Sequence, residues 1–241
     1  MSKALTRPNG IARVAAALIA VVVSLSEASA QNDVSEQIWI DYNPRWTWPS
    51  GLELFGDAGV RTELAERGWG RIVVRPGIRG PIGGGFRLAG GIGTFYTGGP
   101  NVPDELEVRP FQGVSATWPR ARVSLEHYAR LEERFQFDTA TWSLLTSLRF
   151  RYRLHTQIHW EGARAGAHWR LLAHIEGFLT MAGQAGAFDE KVRVGVGVER
   201  GFGPRWRGRV DATWQKTGTI ISGAATDDVY LRVRVFHAWV R

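Results

Sequence analysis

The sequence predicts an all-β protein: a single antiparallel transmembrane β-barrel with a polar, arginine-rich lumen. Three observations lead to this fold class. Stretches of alternating apolar and polar residues recur along the chain, the eleven tryptophans lie mostly at the ends of these stretches or beside turns, and an apolar segment typical of an export signal precedes them. Strands with two different faces suit a closed barrel in a membrane, where one face meets lipid and the other meets water.

The clearest strand lies within residues 143 to 157. Apolar or aromatic residues occupy the even positions from Leu148 to Leu154, and arginine or histidine occupies the odd positions from Arg149 to His155. A helix would scatter these arginines around its circumference, whereas a strand places them all on one side. The period of two therefore predicts one apolar face and one strongly basic face.

Residues 1 to 30 read as a secretory signal peptide, followed by the barrel in residues 31 to 241. Basic residues precede the apolar run from Val14 to Leu25, which ends in Ala28-Ser29-Ala30. The run is shorter than a membrane-spanning helix requires, so we expect cleavage near Ala30 and Gln31. Export in this form predicts location in the outer membrane of a Gram-negative bacterium, in contact with its lipids and with lipopolysaccharide.

Eleven candidate strands follow in order, separated by glycine and proline turns. A bacterial barrel with both ends in the periplasm has an even number of strands, so we expect ten or twelve, with twelve as the best estimate. Tight connections near residues 82, 120 and 203 alternate with longer ones, as in barrels with short periplasmic turns. The candidates span residues 37–43, 52–61, 70–80, 85–96, 105–118, 121–134, 144–158, 168–178, 190–200, 206–214 and 229–240.

Charge distribution favours lipid on the apolar face. Placing the arginines inward leaves almost no charge on the opposite side; for example, Ile72, Val74 and Ile78 oppose Arg71 and Arg75. A soluble periplasmic, lipocalin-like carrier with its apolar residues inward has the same period and is the alternative fold. The glycines on the inner face are expected to leave room for long arginine side chains.

The inward positions predict a lumen network of arginines bridged to carboxylates, because buried charges must be paired. Such a network supports either a structural barrel or a narrow, anion-preferring pore that accepts small anions. The formal net charge of +7 agrees with a surplus of cations. The predicted network comprises Arg75, Glu107, Arg109, Glu126, Arg130, Glu132, Arg134, Arg149, Arg151, Arg153, Glu176, Arg193, Arg232 and Arg234.

Other classes of function have little support in the sequence. A lipid-modifying outer-membrane enzyme would need a serine and a histidine on one face, but Ser124 and His127 lie on opposite faces of one strand; His237 is a further candidate base. No cofactor or metal ligand set is predicted, although His155 and His159 could share a face. The absence of cysteine excludes disulfides. Basic residues that alternate along strands do not predict nucleic-acid binding.

Three stretches resemble a known family: Arg109-Pro110-Phe111-Gln112, the run from Arg130 to Phe135, and the run from Arg149 to Leu154. Together with Ile38-Trp39 and Arg75-Pro76-Gly77, they are similar to a domain-of-unknown-function family of Gram-negative outer-membrane β-barrels. The resemblance extends from about residue 37 to the end of the chain. It implies a location and a fold, and it implies no catalytic residue because the family has no settled activity.

Overall fold

The computed structural model describes residues 34–66, 68–119, 122–161, 168–183, 191–218 and 226–240. The predicted signal peptide lies outside the described residues. The described chain is all β, and it contains no helix long and apolar enough to span a membrane. Its strands are β1 (Val34–Thr47), β2 (Glu53–Glu63), β3 (Gly70–Gly83), β4 (Phe86–Gly99), β5 (Val102–Pro119), β6 (Val123–Asp138), β7 (Leu144–Glu161), β8 (His168–Gly183), β9 (Lys191–Gly201), β10 (Trp206–Thr217) and β11 (Thr226–Val240).

These strands form one closed barrel in which each strand is hydrogen-bonded to its neighbours in sequence, and β1 pairs with β11. Consecutive strands run antiparallel, but β1 and β11 run parallel, from Val34 opposite Asp227 to Thr47 opposite Val240. The described strands number eleven, so the expected even count of twelve is wrong and the barrel is mixed. The physical reason is simple: when direction alternates along an odd series, its first and last members point the same way.

The parallel pairing places the start of β1 and the end of β11 at opposite ends of the barrel. We call these the Val34 end and the Val240 end. Strand β1 also runs further than the sequence predicted, because Pro44 does not end it: Pro44 pairs with His237 inside the β1–β11 ladder. Thr47, rather than Asn43, is therefore the last residue of β1, and the turn begins at Trp48.

Side chains from both strands close the β1–β11 seam. On the buried side, the Trp39 and Tyr230 rings stack in parallel with their centroids 3.8 Å apart, and Arg232 Nε lies 2.5 Å from Asp41 Oδ2. On the other side, the centroids of Trp46 and Trp239 are 6.3 Å apart. Aromatic and opposite-charge pairs across strands are the units that stabilise a sheet, so the seam is joined by more than its backbone hydrogen bonds.

The two faces of the wall have the polarity opposite to that of a water-soluble protein. Ile72, Val74 and Ile78 are 56%, 50% and 46% exposed, whereas Glu107 and Glu132 are 1% and 0% exposed. Alternate residues of a strand point to opposite faces, so the apolar positions cover the outside and the charged positions fill the inside. The core of this barrel is built mainly from paired charges, together with aromatic residues such as Phe95 and Trp39.

Several inner glycines are required by close neighbours on the adjacent strand. A Cβ at Gly59 would lie 2.6 Å from Asp41 Oδ1, one at Gly197 would lie 2.5 Å from Asp211 Oδ1, and one at Gly195 would lie 2.2 Å from His174 Cε1. At these positions the space is filled by carboxylates and a ring, rather than by the arginines that the sequence pattern suggested. Turn β3–β4 uses glycine differently: Gly84 and Gly85 both have positive φ, as a tight two-residue hairpin turn requires.

Candidate functional site

A continuous chain of ion pairs crosses the inner face of five adjacent strands, β5 to β9. Arg134 Nε lies 2.6 Å from Glu107, which also binds Arg109 at 2.6 Å. Arg109 reaches Glu132 at 3.6 Å, and Arg151 joins Glu132 to Glu176. The last link is from Glu176 to Arg193. We call this set, completed by Arg130 and Arg149, the central ion-pair chain: Glu107, Arg109, Arg130, Glu132, Arg134, Arg149, Arg151, Glu176 and Arg193.

Glu132 is the centre of this chain. Four arginines, Arg109, Arg130, Arg149 and Arg151, contact its carboxylate, which is fully buried. Strand register explains the convergence, because Glu132 on β6 lies directly opposite Arg149 on β7, and Arg130 and Arg151 are paired on the same face one step along. Arg109 and Arg151 are shared with Glu107 and Glu176, but the central ion-pair chain holds six arginines and three glutamates, so it retains positive charge.

The other predicted network residues form four separate pairs. Arg75 binds Asp57 through two hydrogen bonds of 2.8 and 2.9 Å, Arg234 binds Asp211 at 2.6 Å, and Arg232 binds Asp41 at the seam. Arg153 binds Glu126 at 2.9 Å, with both side chains more exposed than the rest. The structure thus places all fourteen predicted network residues in ion pairs, nine of them in the central chain.

Aromatic rings lie beneath many of these guanidinium groups. Arg109 lies 4.2 Å from the centroid of Phe95, and Arg193 lies 4.7 Å from that of Phe178. Arg193 also lies 5.5 Å from Trp39. Cation–π contacts of this kind are strongest where water is excluded, so the rings contribute to holding the buried arginines.

Two cavities flank the central ion-pair chain. The cavity at the Val34 end has a volume of about 700 Å³, and the cavity at the Val240 end has a volume of about 260 Å³. Arg193 lines both of them, so its side chain lies where the two cavities meet. We call these two cavities the compartments of the interior.

Arginines outnumber carboxylates in the lining of the compartment at the Val240 end. Three carboxylates line it, from Glu126, Glu176 and Asp211. Nine arginines line it: Arg45, Arg79, Arg151, Arg153, Arg193, Arg207, Arg209, Arg232 and Arg234. Asp41, Glu53 and Glu199, which do not line the cavity, pair with five of these arginines. The surplus of cations that remains raises the local concentration of anions.

Two further clusters near this compartment were missing from the predicted network. Glu53 is shared by Arg45, Arg79 and Arg87. Glu199 is shared by three other arginines, Arg170, Arg207 and Arg209. The position of Arg45 on the inner face follows from strand parity once β1 is extended beyond Pro44, and that of Arg87 follows from the parity of β4. Strand parity was therefore the available signal. Nothing in the sequence predicts that three arginines share one carboxylate.

The histidines considered as catalytic or metal-binding residues occupy other environments. His127 Nδ1 lies 2.5 Å from the Tyr152 hydroxyl and packs edge-on against Trp118. His237 lies between the rings of Trp206 and Trp239, with centroid distances of 3.7 and 3.6 Å. Both are thus part of aromatic clusters rather than of a serine–histidine pair.

The inner histidines lie opposite each other on neighbouring strands. His155 faces His174 across β7 and β8, rather than joining His159. The described residues contain no group of three histidine, cysteine, aspartate or glutamate residues arranged to hold a metal ion.

Fold and interior together define a class: a closed all-β barrel with an apolar outer wall and an ion-paired interior. The sequence matches the family described as "Protein of unknown function (DUF2490)" over residues 36–219. The chain belongs to this family.

No curated protein matches the sequence. Among solved structures, the chain is similar to a NanC porin in a rhombohedral crystal form, with 9% sequence identity and a TM-score of 0.43. The similarity covers 83% of this chain and 98% of the porin chain.

Proposed function

We propose that this protein is an outer-membrane β-barrel that acts as a narrow, anion-preferring pore, reaching the membrane after cleavage of a signal peptide near Ala30 and Gln31. The observation that carries the proposal is the cation surplus of the Val240-end cavity, where nine arginines face three carboxylates. A lining of this kind attracts small anions and repels cations.

The outer wall supports the membrane location. Large apolar side chains are exposed along the middle of the strands, as at Val74 and Val194. Exposed tryptophans lie toward the rims, with Trp142 at the Val34 end and Trp118 and Trp206 at the Val240 end. An apolar band between two aromatic girdles is the arrangement that suits lipids and lipopolysaccharide around a barrel. A carrier for apolar ligands would instead need an apolar interior.

A non-conducting structural barrel is the second candidate, and one observation favours it. Arg193, a member of the central ion-pair chain, lines both cavities, so its side chain lies on the route that ions would take from one cavity to the other. A barrel in which this side chain blocks the route would not conduct ions, and its role would be structural: to support the strands and the external loops.

Single-channel recording separates the two candidates. The protein refolded into a planar bilayer is expected to give small steps whose reversal potential in a salt gradient has the sign of anion flow. The Arg79→Gln, Arg207→Gln double variant should reduce the anion preference while leaving Glu53 and Glu199 each paired with two arginines. Arg200→Gln, on an exposed side chain, is the matched control and should leave the reversal potential unchanged.

The outcomes are distinct. Cation-selective steps, or an unchanged reversal potential in the double variant, would contradict the anion pore. Silence from a barrel that is inserted and shows a heat-modifiable electrophoretic mobility would favour the structural barrel.

A further inference from the structure

Arg61 on β2 is a buried cation with no carboxylate in direct contact. Its side chain is 9% exposed and lines the Val34-end cavity. Its guanidinium carbon lies 4.0 Å from the centroid of the Trp39 ring, and its Nε has no hydrogen-bond partner. Within the described residues no carboxylate forms an ion pair with it. A buried charge without an ion-pair partner lowers the stability of the fold unless another interaction compensates for its loss of hydration.

Arg71 and Lys191 line the same cavity and also lack an ion pair with a carboxylate of the described chain. Arg71 Nε donates a hydrogen bond to Thr97 Oγ1 at 2.6 Å, and Lys191 lies at the start of β9. Neither forms an ion pair with a carboxylate of the described chain. This contrasts with the arginines of the central ion-pair chain, which all contact glutamate. Three cationic groups without carboxylate partners therefore surround one cavity.

The carboxylates that line this cavity are engaged elsewhere. Asp104 accepts a hydrogen bond from the Tyr96 hydroxyl at 2.8 Å, and Glu105 accepts one from Gln136 at 3.1 Å. Asp228 accepts hydrogen bonds from Gln37 and Gln215. The fourth, Asp138, accepts hydrogen bonds from the backbone N–H groups of Ala140 and Thr141. Because these acids already accept hydrogen bonds from neutral donors, none of the four forms an ion pair with the three cations.

The rest of the cavity suits a hydroxylated molecule. Amides from Gln37, Gln136 and Gln215 line it, together with the hydroxyls of Ser143 and Thr217. Its volume of about 700 Å³ is far larger than one inorganic ion needs and lies in the range of pockets for small organic ligands.

We propose that the Val34-end cavity binds a small organic oxoanion. Its carboxylate or phosphate head group is held by Arg61, Arg71 and Lys191, and its hydroxylated body by the amides and hydroxyls. Guanidinium groups bind both head groups through paired hydrogen bonds. The site is a different cavity from the one that carries the proposed pore, and binding to it does not require conduction.

Calorimetric titration of the refolded full barrel tests the site with three probes. Glucuronate offers a carboxylate, glucose 6-phosphate offers a phosphate, and glucose offers the hydroxylated body alone. Binding of one or both anions without binding of glucose is expected, and the tighter anion identifies the preferred head group. Loss of a charge-assisted hydrogen bond should weaken binding of that anion in Arg61→Gln by about tenfold or more.

Two further variants complete the design. Lys191→Gln removes a second cation from the same cavity and should also weaken binding, whereas Arg200→Gln, on an exposed side chain, should bind as the unmodified protein does. Heat-modifiable mobility reports folding of each variant, and if Arg61→Gln does not fold, Lys191→Gln decides.

Three results would overturn the proposal: neither anion gives heat beyond dilution, glucose binds as tightly as the anions, or the folded cavity variants keep the original affinity. A silent channel that still binds glucuronate would contradict the pore and leave this site standing.

Discussion

Asp41 and Arg232 pair across the parallel seam between β1 and β11, with Arg232 Nε 2.5 Å from Asp41 Oδ2. The two residues are 191 positions apart in the chain, and Asp41 is 1% exposed. Their pairing therefore joins the first and last described strands of the barrel from within.

Replacing Asp41 by asparagine is expected to destabilise the barrel, because Arg232 would remain buried without its counter-charge. The expected loss in free energy of unfolding is about 3–5 kcal/mol, measured by urea denaturation in lipid vesicles. Glu126→Gln is the matched control: its pair with Arg153 is 26% and 30% exposed, so the loss should be about 1 kcal/mol or less. Equal losses of unfolding free energy in the two variants would mean that the buried Asp41–Arg232 pair stabilises the barrel no more than the exposed Glu126–Arg153 pair does.

Replacing Arg193 by glutamine is expected to increase single-channel conductance. The change shortens the one side chain that lines both cavities and removes its ion pair with Glu176. Arg153→Gln, which alters only the Val240-end cavity, should not produce the same increase. Conductance that stays at the original level in Arg193→Gln would place the barrier to ion flow elsewhere in the interior.

Gly195→Ala is expected to destabilise the barrel by about 1–3 kcal/mol, the usual cost of overpacking a core. The new Cβ would lie 2.2 Å from His174 Cε1, a distance that neither group can accept without moving. Gly177→Ala, where a Cβ would meet nothing within 4 Å, is the control and should unfold at nearly the original urea concentration. A Gly195 variant that matches this control would show that the His174 ring moves freely.

An arginine on the outer wall tests contact with lipid directly. Val74→Arg, near the middle of β3, should cost about 2–4 kcal/mol in a bilayer, because a charge there faces hydrocarbon. Ile82→Arg, near the end of the same strand and 59% exposed, should cost about 1 kcal/mol or less. If the two variants had equal stability in vesicles, the apolar wall would not be lipid-facing.

Much of the wall could be predicted from the sequence, because a period of two is a local signal. All eleven candidate strands appear in the structure with ends that differ by a few residues, and the charged face of β7 was evident from the alternation at Arg149, Arg151 and Arg153. The residue pattern predicts eleven strands. The expectation of twelve comes instead from the even number of strands in known bacterial barrels. Local residue patterns carry no information on whether the last strand meets the first in parallel.

Which charges pair could not be predicted, because pairing depends on register and on distances across the interior. Parity places Arg61, Arg75 and Arg232 on one face, yet only the folded wall brings Arg75 to Asp57 and Arg232 to Asp41. The same limit hid Arg61, whose lack of a partner is a property of the assembled cavity. It also hid the crowding at Glu132, where residues from three strands meet.

The parallel β1–β11 seam also determines which rearrangements of the chain this protein can accept. In a barrel with an even number of strands, a short peptide can join the two termini and new termini can be opened at another turn. Here such a peptide would have to travel the length of β1, about 45 Å for 14 residues at the rise of an extended strand. Circular permutants in which a short linker joins Val34 to Val240 are therefore ruled out by geometry, and reporter groups attached at these two residues would lie at opposite ends of the barrel.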